Sequence, residues 1–283
     1  MDSIIRYWSD GFRQLFGGEW PRSYVTFDCE TTGLDNNRDV VVEIGHCLVE
    51  DCKVKNQLSL ILNWTDHSKL SDSWLRERLL KTKNSMASVG KQYQFTYEKL
   101  TTGIEPEKAL SFYHTLFSTL IDDKFFFAAH GGFFDEAMLV SNFKRFIPDV
   151  LPGKGLLSIN RFPDNLYIDT MSIERGNQCM PDAKARPFAG ETMRAYFKRL
   201  KYLGGFRKGI SFSLDGHCIP KYGLVSKYGI DTSKAHSAAF DAYVVHLLME
   251  EFRHITPNKP EPVLSTSKPQ LMLSTRVRGQ RNR

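Results

Sequence analysis

Apolar residues along the chain fall into two periods. Tyr24–Cys29, Val40–Val49 and Val54–Leu62 are short runs rich in Val, Ile and Leu, bounded by turn formers, and read as consecutive strands of an antiparallel meander. Pro106 then stands where a helix should begin, and Ala109, Leu110, Tyr113, Leu116, Phe117 and Leu120 recur at helical spacing. KFFFAAH has the length of a buried strand and ends at His130, with a helix expected from about Asp135. NLYIDT supplies one more short strand, and helices are expected at about 188–202 and 237–252. Strands first, then helices alternating with strands, describe an α/β sandwich built on a mixed sheet.

Three segments interrupt this order and read as insertions: 64–96, with two short helical patterns; 148–165, rich in Pro and Gly; and 204–229, Gly-rich and basic. Ile4, Ile5, Trp8, Phe12, Leu15 and Phe16 make residues 1–22 an amphipathic helix expected to dock on the domain. Arg6, Asp10 and Arg13 break any signal-peptide core there. The expected organisation is this helix, one domain over 23–256 and a flexible basic tail over 257–283.

Composition narrows the setting. No apolar run is long enough to span a membrane. The five cysteines form no C-x-x-C pair and sit mostly in apolar stretches, the usage of a reducing compartment, so a cytoplasmic location is expected and zinc is disfavoured. Net charge is +6, but Lys268, Arg276, Arg278, Arg281 and Arg283 account for five of those charges, leaving +1 on the rest. Affinity for nucleic acid would therefore come from local patches or from the tail.

FDCETTGL raises the sharper question. Alternation along a strand puts Asp28 and Glu30 on one face and Cys29 on the other. Two such carboxylates repel unless a cation lies between them, and carboxylate oxygens suit Mg²⁺ or Mn²⁺. A solvated strand end would explain the pair equally well. Asp135 follows a second apolar strand end and opens a helix, either as a third ligand or as a cap. In HSAAFDAYVVHLLMEEF, Asp241 lies about one and a half turns after His236, and Val244, Leu247, Leu248 and Phe252 supply the buried face. His236 then belongs to the loop or first turn, where an imidazole can take a proton from water.

Taken together, D-x-E-T-T-G-L from Asp28 to Leu34, H-x-x-x-F-D from His130 to Asp135 and H-x-A-x-x-D-A from His236 to Ala242 resemble the motifs of the DEDDh 3′-to-5′ exonucleases. This DnaQ-like or RNase T-like superfamily includes the proofreading exonucleases of the DNA polymerase III epsilon type. The resemblance runs over roughly residues 24–252. It implies an RNase H-like fold, a mixed five-stranded sheet flanked by helices, and a two-metal nuclease using Mg²⁺, with Mn²⁺ as substitute. Asp28, Glu30 and Asp241 would hold the first metal, Asp28 and Asp135 the second, and His236 would be the general base. Thr31, Thr32, Gly33 and Leu34 would grip the 3′ end, with the backbone at Thr31 and Thr32 on the hydroxyl and Leu34 wedged against the last base. Phe134 would pack near the same nucleotide. The implied substrate is the 3′ end of single-stranded nucleic acid, DNA in preference to RNA, in proofreading, replication, repair or RNA trimming.

Two departures stand out. Gly131 occupies a position where the family commonly has Asn, and the three insertions exceed a minimal member's needs. RFP near 161 and GGFRKG near 204 mix aromatic and basic residues, so they serve either to guide a strand or as plain surface loops. In the tail, Gln270-Leu-Met-Leu-Ser resembles the peptides by which replication proteins engage a sliding clamp, without the usual terminal Phe. A clamp or polymerase partner therefore stands beside the favoured reading of a disordered end.

Overall fold

The structure, a computed structural model, describes residues 19–148, 161–179, 188, 190–203 and 212–254. Most of the amphipathic N-terminal segment, the basic tail with its clamp-like peptide, and GGFRKG lie outside the described residues.

Five strands form one sheet in the order β3-β2-β1-β4-β5. Strands β1 (Tyr24–Thr31), β2 (Val41–Glu50) and β3 (Lys53–Ile61) are the expected meander. Strand β4 (Phe126–Ala129) joins β1 in parallel, and β5 (Tyr167–Asp169) joins β4 in parallel. The parallel neighbours require helical crossovers, which α2 (Pro106–Asp122) and α3 (Phe133–Phe146) provide.

The two faces of β1 differ. Val25, Phe27 and Cys29 enter an aromatic core in which Phe27 meets Phe117 and Phe162 at ring-centroid distances of 5.6 and 5.1 Å. Phe162 is fully buried, so RFP contributes a core residue rather than a strand guide. Tyr24, Thr26, Asp28 and Glu30 face the other way, toward α6 (Ala238–His254). There Tyr24 Oη bonds His246 Nδ1 at 2.9 Å, and Thr26 Oγ1 donates to the Ala242 carbonyl at 2.6 Å.

Segment 64–96 is not a peripheral ornament. Its two expected helical patterns form one 17-residue helix, α1 (Asp72–Ser88), capped by Ser71 Oγ accepting from Trp74 N. Trp64, Leu75, Leu79, Tyr93 and Phe95 are buried in the aromatic core, and Trp64 Nε1 donates to the Val41 carbonyl at 2.6 Å. A helix the pattern did not signal, α4 (Thr170–Cys179), follows β5 directly. The next, α5 (Met193–Leu203), begins later than expected and leaves Phe188 outside it. Residues 214–228, read as part of a Gly-rich loop, wind through three short helical turns.

Candidate active site

Asp28 and Glu30 end β1 on the α6 side, opposite Gly45 and Glu43 of β2. Glycine at 45 has a packing cause: a β-carbon there would overlap the backbone of Ala238 and Ala239, so α6 could not seat its first turn on the sheet. Glu43 holds that turn from below, with Oε2 accepting from Ala238 N at 2.8 Å and Oε1 from Ser59 Oγ at 2.7 Å. A carboxylate beneath a helix N-terminus is favoured by the helix dipole. This seating brings Asp241, in the first turn of α6, to the acids of β1. Ligand atoms of Glu30, His236 and Asp241 lie within 4.8 Å of one another.

Asp135 enters from the first turn of α3 and is buried. The electrostatics place all four acids in one neighbourhood. Burial, and then the charges of Asp135, Asp241 and Glu30, hold Asp28 well above the usual carboxylate range. Glu30 is raised by burial and by Asp241, against a small opposing effect of Lys91. Burial pushes Asp135 to about 7 and Asp241 to about 6, and His236 partly offsets the latter.

Three other buried acids among the described residues have cationic partners. Glu136, adjacent to Asp135, receives Arg194 through two bonds of 2.6 Å. Glu174 accepts from His217, Lys221 and Tyr222, and Asp39 takes the guanidinium of Arg78. The four site acids have no comparable cation among the described residues, although their donor set is the oxygen-rich one that hard divalent ions prefer. The residues present therefore fit a hard divalent cation.

His236 precedes α6 with φ of 64°, a left-handed conformation that costs about 1–2 kcal/mol outside glycine. Two segments hold it. Gln94 Nε2 donates to its carbonyl at 2.6 Å, and Asp215 Oδ2 lies 3.4 Å from its Nε2. Asp215 is tied in turn by Lys91 at 3.2 Å, and its pKa is lowered chiefly by the His236 contact. Lys91, Gln94 and Asp215 belong to the two segments read as insertions, and no motif marked them.

The expected 3′-end grip is already partly committed. Tyr93 Oη donates to the Thr31 carbonyl at 2.7 Å, Thr82 Oγ1 to the Thr32 carbonyl at 2.6 Å, and Thr32 N to Val40 O at 2.9 Å. Gly33 packs against the Asp39 carboxylate, where a β-carbon would collide. These bonds fix the loop, while Leu34 at its tip is 84% exposed. Phe134 is half-buried against the aromatic core. His130 sits apart from the acids' chemistry: it bonds Thr170 Oγ1 at 3.0 Å and the Phe212 carbonyl at 2.6 Å. Gly131, the departure from the family pattern, has φ of +79° and donates its N–H to Asp169 Oδ1 at 2.8 Å.

No protein-family model and no curated protein matches the chain. Among solved structures it resembles E. coli Exonuclease I in complex with a dA16 oligonucleotide, with a TM-score of 0.51 and 16% identity over 82% of this chain and 41% of that one. The same enzyme with a dT13 oligonucleotide gives a TM-score of 0.50 at 17% identity over 82% and 41%. The chain thus spans about two fifths of the length of those neighbours. The likeness bears out the RNase H-like mixed five-stranded sheet flanked by helices. Among the described residues, no helix is long and apolar enough to cross a membrane.

Proposed function

We propose that this chain is a metal-dependent exonuclease that removes nucleoside 5′-monophosphates from the 3′ end of single-stranded nucleic acid, DNA in preference to RNA. The observation that carries the reading is the convergence of Asp28, Glu30, Asp135 and Asp241, half-buried or buried, mutually repelling and without an ion pair among the described residues, in a protein that gives Glu136, Glu174 and Asp39 cationic partners. The four would hold two Mg²⁺ ions, with Mn²⁺ as substitute. Divalent metal in such a site activates water and stabilises the charge on the leaving 3′ oxygen. The bound oligonucleotides of the Exonuclease I structures support DNA as the substrate class.

The chain's own residues supply the rest. His236, beside Glu30 and Asp241, accepts the proton of the attacking water, and Asp215 and Gln94 fix its ring and backbone for that role. Leu34, exposed at the tip of a braced loop, packs against the terminal base, and the loop from Thr31 to Gly33 orients the 3′ end. Phe134 lines the same approach. Positioning of this kind matters because misplacing a reacting group by about 1 Å costs on the order of 10²-fold in rate.

The test is release of mononucleotides from 3′-labelled single- and double-stranded DNA and RNA with Mg²⁺ or Mn²⁺, comparing wild type with Asp241→Ala. Full activity in the variant, or in EDTA, would sink the reading.

A further inference from the structure

A second constellation lies at the far end of the 32–40 loop. Arg38, Lys69 and Arg145, with Leu70, Ser71 and Trp74, line a cavity of about 350 Å³ that contains no acidic residue. Its size is at the lower end of small-molecule sites. None of the three cations lies within ion-pair distance of a carboxylate among the described residues. Arg145 donates to the carbonyls of Asp39 at 2.8 Å and Arg38 at 3.3 Å, and Lys69 Nζ to the Arg145 carbonyl at 3.1 Å. Those bonds go to carbonyls and hold the cations in place, although the carboxylates of Asp39 and Asp35 lie near enough to Arg145 to offset part of its charge. Arg38 is exposed and its guanidinium has no partner among the described residues, and the half-buried Trp74 indole, with Arg78 6.0 Å from its ring, supplies an aromatic wall. Charge of one sign beside a π-face is the combination that takes a phosphodiester backbone with a stacked base.

Two helices give the distances from the acids and from the motif loop. Along α3, Arg145 lies ten residues beyond Asp135, about 15 Å at 1.5 Å per residue. Along α1, Trp74 lies eight residues before Thr82, whose hydroxyl holds the Thr32 carbonyl, about 12 Å by the same rise. The first path puts the cavity a few nucleotides from the acids, and the second puts it a similar distance from the motif loop, given a rise of about 3.4 Å per nucleotide along the axis of a stacked strand. The 32–40 loop, with Leu34 at its exposed tip, connects the two places.

We propose that this cavity binds the phosphate backbone of the substrate strand a few nucleotides on the 5′ side of the residue being removed. The inference rests on the exonuclease reading and extends it: the acids cut, and the Arg38–Lys69–Arg145 cleft holds the trailing strand. An acidic peptide would satisfy the charges equally, but the aromatic wall and the continuity with the loop favour a nucleic-acid strand.

The experiment uses Arg38→Glu/Lys69→Glu, two exposed positions, with Lys53→Glu/Lys55→Glu on β3 as an equal charge change away from the cleft. Equilibrium binding of a fluorescent 16-nucleotide DNA in EDTA is measured across salt concentrations, and Mg²⁺-dependent turnover is measured on that DNA and on a dinucleotide. Expected are at least about tenfold weaker binding of the long strand and a salt slope smaller by about two, one for each cation withdrawn from a phosphate. Dinucleotide turnover should be unchanged, and the β3 control should behave as wild type. Unchanged long-strand binding, equal losses on both substrates, or an equal loss in the control would each overturn the proposal, as would binding of an acidic peptide that the cleft variant alone abolishes while DNA binding persists. Absence of turnover in wild type with the binding loss intact would refute the exonuclease reading and leave the cleft standing.

Discussion

Asp135 and Glu136 are neighbours in the first turn of α3, both buried, and their environments are opposite. Glu136 is clamped by Arg194, whose guanidinium also reaches the Phe162 carbonyl at 2.8 Å and lies over the Tyr167 ring at 4.5 Å. It joins α3, α5 and the loop before β5 into one flank. Asp135 turns instead toward Asp28 and Asp241, where burial and like charges raise its pKa. One flank spends its charges on internal pairs, whereas the strand edge leaves them available. Removing the partner of a buried charge is costly, and a charge without a partner costs stability unless an external cation supplies the missing charge.

The contrast can be broken from either side. Asp28→Ala should reduce exonuclease turnover by at least about 10²–10³-fold, the cost of deleting a pre-organised electrostatic group, while metal-free stability holds or rises because a repelling charge has gone. Glu136→Ala should do the reverse. Leaving Arg194 with Asp164, 3.0 Å away, as its one remaining carboxylate among the described residues should lower unfolding free energy by up to about 3–5 kcal/mol in denaturant titrations, with turnover per folded molecule retained. If the two variants lost activity and stability in parallel, the division of labour between the flanks would be wrong.

Gly45→Ala probes the seat of the site. The added methyl collides with the Ala238 backbone, so α6 must shift, at about 1–3 kcal/mol of stability for an overpacked contact. Asp241 moves with the helix, so turnover should fall further than stability alone accounts for. A smaller effect is expected for Asp215→Asn: about 10–100-fold in kcat with KM little changed, in line with other groups that orient a histidine, and with partial recovery in Asp215→Glu.

The mildest test is pH. Asp135 and Asp241 titrate near 7 and 6 in the folded chain and near 3.9 when unfolded. Between about pH 4 and 7 the folded state therefore binds more protons, and metal-free stability should fall as pH rises through that window. Saturating Mg²⁺ should flatten the slope. A thermal midpoint in EDTA that climbs over the same range would contradict the crowding of the acids.

Much of this was legible in the chain. The alternation from Tyr24 to Glu30 assigns one set of side chains to an aromatic core and the other to α6, because a strand turns successive residues to opposite faces. The three motifs named the residues that the fold gathers. Other features were hidden because their cause is non-local. Nothing in VVEIGH says that Gly45 makes room for Ala238, nearly two hundred positions away. The 64–96 stretch looked like an insertion because its apolar residues are sparse. Yet Tyr93 and Thr82 brace the motif loop, and Lys91 and Gln94 help to hold His236. Thr170–Cys179, with Gly176 and few apolar positions, carries too weak a pattern to announce a helix.

By itself, then, the sequence determined the five strands and several of the helices, the side of each strand that is apolar and the identity of the acids, all consequences of short-range periodicity and residue chemistry. Only the tertiary structure decided which carboxylates meet a cation and which meet each other. That choice separates Glu136 from Asp135 and Asp39 from Asp28, and it depends on contacts between segments far apart in the chain.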